Sequence, residues 1–110
     1  MAMKSFPDGQ LKFGKVSAAG TFENVIHLGK SDAARMSVFI AGGNGGTFTL
    51  KGGTDGSTFG TTLGSVTIGA KGEGNIVIPE GVEATPYLQL SCTGSLTADA
   101  TAYIDTYLGI

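Results

Sequence analysis

The amino-acid sequence predicts an all-β chain, a single-domain, jelly-roll-like antiparallel β-sandwich of about eight strands. Three observations predict it. Apolar residues recur at every second position in short runs, the period of a half-buried strand. Turn-forming residues, chiefly the 19 glycines, interrupt those runs every ~8–12 residues, the spacing of a sandwich or jelly roll. No segment carries a helical period, and residues 31–36 have room for a single helical turn only.

Taken in order, residues 1–9 form a flexible N-terminal arm, because Pro7, Asp8 and Gly9 make a turn signal before any periodic segment begins. The sandwich occupies residues 10–110. Phe6 either tucks against the domain's own edge or docks onto a neighbour. Leu11 and Phe13 share one face of a first strand over 11–16. Residues 22–29 carry more apolar side chains than strict alternation supplies, which predicts a second strand buried on both sides near its middle.

The run 33–41 alternates most clearly, with Met36, Val38 and Ile40 inward and Arg35, Ser37 and Phe39 outward. An outward Phe39 needs a second layer or a partner surface to cover it. Residues 41–46, Ala-Gly-Gly-Asn-Gly-Gly, read as a hairpin loop, since glycine and asparagine tolerate positive φ. A backbone anion nest is the rival reading of that loop. Residues 47–51 return with Phe48 and Leu50 inward, and Asp55-Gly56 marks the next turn. Phe59 anchors a very short strand, and 63–68 is another with Val66 and Ile68 inward.

Residues 75–92 read as strand, sharp corner, strand: Ile76 and Ile78 share a face, Pro79 and Gly81 break the run, and Leu88, Leu90 and Cys92 alternate inward after Pro86. The last strand, 100–108, places Ala102, Ile104 and Leu108 on one face and Tyr103, Asp105 and Tyr107 on the other. The two tyrosines either form a contact surface or pack within the second sheet. The predicted core is Leu11, Phe13, Ile26, Leu28, Met36, Val38, Ile40, Phe48, Leu50, Val66, Ile68, Ile76, Ile78, Leu88, Leu90 and Ile104.

Composition narrows the function. A chain of 110 residues suits one core. Seven basic against nine acidic residues, a formal charge of -2, supply no footprint for nucleic acid or an anionic membrane. No apolar run approaches the ~20 residues of a bilayer span. The N-terminus lacks the apolar stretch of a secretory signal, so synthesis in the cytoplasm is expected. Cys92, the sole cysteine, has no partner for an internal disulfide.

No catalytic, metal or cofactor site is expected. His27 has no second His or Cys at ligand spacing, so it reads as a polar strand residue, and a cupin-type enzyme needs clustered histidines. Gly29-Lys30-Ser31 echoes the end of a phosphate-binding loop, but that motif needs glycine where Asn24 stands and a helix afterwards. Asp55 is one carboxylate, too few for calcium, and reads as a turn residue. Glu80 and Glu83 flank the corner and would do acid-base work only in a pocket the sequence does not announce.

Several segments together carry a family likeness. The succession Glu23-Asn-Val-Ile-His-Leu-Gly29, the strand at 36–40, Thr54-Asp-Gly-Ser-Thr-Phe59, Ile76-Val-Ile-Pro-Glu-Gly-Val82, Tyr87-Leu-Gln-Leu90 and Thr101-Ala102 resembles the capsid cement, or decoration, proteins of short-tailed bacteriophages. The resemblance spans residues 22–104 and lies in strand order and turn placement, without an invariant chemical motif. Gln89 stands where the family usually has a basic-hydrophobic position. The resemblance implies a jelly roll on the outer surface of an icosahedral virion, clamping neighbouring copies of the major capsid protein, as a homodimer or a trimer, with no catalytic residues. Contacts to the shell or to itself are then expected through Met3, Phe6, Phe39, Tyr103 and Tyr107. The alternative is a carbohydrate-binding or fibre-tip β-sandwich module; such sites show aromatic platforms, and this chain has no Trp and only three Tyr.

Overall fold

A computed structural model describes residues 3–4, 12–27, 33–78 and 87–108, with side chains described for 12–27, 37–78 and 87–104. Among these residues the secondary structure is all β: β1 (Met3–Lys4), β2 (Lys12–Val16), β3 (Gly20–Thr21), β4 (Ile26–His27), β5 (Ala33–Gly42), β6 (Gly46–Gly53), β7 (Thr61–Thr67), β8 (Glu73–Ile78), β9 (Tyr87–Gly94) and β10 (Ala100–Leu108). Residues 33–36, where a helical turn had room, are strand. Phe59 lies in no strand and is half-buried.

All pairings are antiparallel and form two sheets. In the first, β1 and β2 lie in succession along one edge of β10, followed by β5 and β8. In the second, β3 and β4 lie in succession along β9, followed by β6 and β7. Only β6 and β7 are sequential neighbours paired in one sheet; every later step along the chain crosses the sandwich. That winding, with the first full strand beside the last and β9 between the first half's short strands and β6, is a jelly roll, as the turn spacing predicted. Of the arm over 1–9, Met3 and Lys4 pair with Tyr107 and Thr106; Phe6 lies outside the described residues.

The core lies between the sheets. Phe13, Val38, Ile40, Ile76, Ile78, Ala102 and Ile104 from the first sheet meet Ile26, Phe48, Leu50, Leu88, Leu90 and Cys92 from the second, all buried. Val66 is half-buried against this cluster. Leu11 and Leu28 lie outside the described residues, as does the side chain of Met36. Phe22 joins the core although alternation did not select it, its ring tilted 57° to Phe48 at 6.0 Å between centroids.

Two local expectations are corrected. The strand over 22–29 is interrupted, because the chain leaves β3 to lace the two sheets together at their edge. The Phe22 N–H donates to Leu90 O on the second sheet (2.9 Å), and the Asn24 N–H donates to Phe13 O on the first (2.9 Å). Val25, expected near a doubly buried centre, is 44% exposed. The glycine loop at 41–46 is likewise no hairpin, since β5 and β6 belong to opposite sheets. It is an arch whose backbone is spent on neighbouring loops. Gly42 N donates to Gly72 O (2.7 Å), Gly43 N to Asp99 O (3.2 Å), Gly45 N to Gly69 O (2.7 Å) and Gly46 N to Gly43 O (3.0 Å). With those donors engaged, the anion-nest reading loses its N–H groups.

Candidate functional site: the outer face of the first sheet

The outward face of the first sheet gathers two of the aromatic residues singled out from sequence. The β10–β5 ladder pairs nine positions, and in it Tyr103 stands opposite Phe39. Directly paired residues share a face. Their rings meet at 5.5 Å between centroids with planes tilted by 50°, an ordinary edge-on aromatic contact. Both side chains are half-buried, so Tyr103 supplies part of the cover that an outward Phe39 requires.

The same row runs across the sheet as Lys12, Tyr103, Phe39 and Asn75. The next row in one direction is Lys15, Thr101, Ala41 and Glu73; in the other, Ser37 stands opposite Val77. Val77 is 60% exposed, an apolar side chain beside the aromatic pair. Alternation implied it, since Ile76 and Ile78 point inward, but nothing marked it as functional. Met3 and Arg35 both register with Tyr107, four positions along β10 from Tyr103 or about 13 Å. The side chains of Met3 and Tyr107 lie outside the described residues, as does the whole of Phe6. The structure therefore joins Phe39 to Tyr103 and places Met3 beside Tyr107 in register.

Electrostatics on this face are mild. Lys15 Nζ sits 3.6 Å from Asp99 Oδ2, both side chains more than half exposed, so the pair contributes little to stability. No group of three or more His, Cys, Asp or Glu side chains that could hold a metal occurs among the described residues. Glu80 and Glu83 lie outside them. Cys92 is buried between the sheets, and desolvation raises its thiol above the usual value. His27 is an exposed residue of β4, stacked on Tyr87 of β9 at 4.4 Å and 10°.

No protein-family model matches the chain, and no curated protein matches it.

Asp55 is a turn residue. One carboxylate oxygen, Oδ1, accepts from the N–H groups of Ser57 and Thr58, each at 2.9 Å. Those two bonds favour the charged form and hold the carboxyl below its ordinary 3.8. For a depressed acid the linked stability is fully present above the unfolded value and is lost as pH falls through the folded one. An NMR titration should therefore find the Asp55 midpoint below that of a free aspartate, with the Ser57 and Thr58 amide signals moving on the same curve. A midpoint at or above the ordinary value would rule out this turn.

Proposed function

We propose that this protein is a capsid cement protein, which binds the outer face of an icosahedral phage head, braces neighbouring major capsid subunits and acts without turning over a substrate. The observation that carries the reading is the Phe39–Tyr103 pair with exposed Val77 beside it: an aromatic and aliphatic patch on the outward side of a jelly roll. Aromatic residues are enriched at protein interfaces, and a small rigid patch suffices when many copies sit on equivalent sites. The sequence likeness over residues 22–104 points the same way. Self-association as a homodimer or trimer belongs to the proposal, since a chain this small gains from covering its sheet with another surface.

Cosedimentation of purified protein with empty heads of the phage that carries the gene tests it. Wild type should saturate the shells. Phe39→Ala, and separately a truncation that begins at Gly9, should each weaken occupancy by about ten-fold, the usual cost of losing an interface anchor. Undiminished binding by both variants would overturn the assignment of the arm and of the β5 face, and absence of wild-type binding would overturn the function.

A further inference from the structure

On the β8 side of that face, away from Tyr103, lies an open cleft of about 490 Å³ lined by Ser37 and Phe39 of β5, Thr67 at the end of β7, Lys71 in the following turn, and Glu73 and Asn75 of β8. Its volume is within the range of ~300–1,000 Å³ typical of small-molecule sites. The side chains of Ser37, Lys71, Glu73 and Asn75 make no hydrogen bond to the described residues, so their donors and acceptors face the cleft or solvent.

The lining selects a ligand class. Lys71 is the cleft's cation and Glu73 its carboxylate, so an anion such as phosphate meets repulsion as well as attraction. A single carboxylate is too few for calcium. A purely apolar ligand would strand an ammonium, a carboxylate and a carboxamide without partners. What suits all of them is a neutral polyol with one apolar face. A pyranose offers axial C–H groups to an aromatic ring such as Phe39, while its hydroxyls donate to Glu73, accept from Lys71, and do both with Asn75 and Ser37; the Thr67 hydroxyl is already paired with that of Thr47 at 3.1 Å.

From this we infer that the cleft is a saccharide-binding site for a single neutral pyranose unit, the terminal sugar of a glycan. The cleft shares Phe39 with the shell reading, but Asn75 and Glu73 lie on the β8 edge, so both can be altered without replacing Phe39, Tyr103 or the arm.

The test is an NMR titration of the full chain with the methyl glycosides of glucose, galactose, mannose and N-acetylglucosamine, each taken to about 50 mM because a small open site supports only millimolar affinity. At least one sugar should give saturable shifts in the amides of Ser37, Phe39, Glu73 and Asn75. Asn75→Ala and Glu73→Ala should each weaken that sugar by about ten-fold, the cost of an unreplaced hydrogen bond to ligand. Both sites are exposed, and unchanged spectra away from the cleft confirm that the variants fold. No saturable shift with any of the four, shifts confined to another part of the molecule, or equal affinity in both variants overturns the site. Shell cosedimentation of Asn75→Ala separates the two readings: retained shell binding with lost sugar binding supports the saccharide site, and the loss of both overturns its independence from the shell face.

Discussion

Phe48→Ala should lower the free energy of unfolding by about 4 kcal/mol, near the top of the range for removing a large buried side chain. Phe48 is fully buried on β6, where its ring packs against Phe22 and closely approaches Gly43. The ring therefore touches the core, the lacing segment that ties the sheet edges and the arch that joins β5 to β6. Its loss opens a void at the meeting point of all three, and rigid backbone arches relax poorly into such a space. Phe48→Leu keeps most of the volume and should cost about 1.5 kcal/mol. Urea denaturation with an unchanged m-value measures both. Against a total of about 5–15 kcal/mol for a domain, a 4 kcal/mol loss leaves a large unfolded fraction on modest heating. A loss under about 1 kcal/mol would show that the ring does not seal the junction of core, lacing segment and arch.

The second large effect is expected at Gly42, where alanine should cost about 3 kcal/mol. Gly42 has φ +80°, a region that residues with a Cβ enter at a cost of roughly 1–2 kcal/mol. A Cβ there would also run into the carbonyl oxygen of Asp99. That obstacle is main chain, which cannot swing aside as a side chain would. The same carbonyl accepts from Gly43 N while Gly42 N donates to Gly72 O, so displacing it loosens three loops together. Gly60→Ala is the control, since a Cβ at Gly60 meets nothing within 4 Å and its φ lies outside the left-handed range. That change should be neutral or stabilise by up to about 1 kcal/mol through the unfolded chain. Equal midpoints for Gly42→Ala and Gly60→Ala in thermal or urea unfolding would show that the arch is not fixed by the contact with Asp99.

The candidate surface was partly legible before any fold was known. Alternation about Val38 and Ile40 sends Phe39 outward, and alternation about Ala102 and Ile104 does the same for Tyr103. Val77 followed from the same rule, yet a lone outward valine is unremarkable until the ladder sets it beside an aromatic pair. The cleft at Asn75 was not legible. Its residues come from three strands and a turn, and the polar ones, taken one at a time, are ordinary strand and turn side chains.

What the amino-acid order determined by itself is the all-β class, the inward face of most strands and the outward direction of the two aromatics, because a two-residue period is a local property written along each strand. Only the tertiary structure decided which strands pair, that Phe39 meets Tyr103, that residues 22–25 lace the edges, and that the glycine loop spans the sandwich as an arch. Pairing joins segments distant along the chain, and no local period specifies a partner. Adjacent glycines permit the same positive φ in a hairpin and in an arch, so the choice fell to whichever carbonyls the surrounding loops brought within reach.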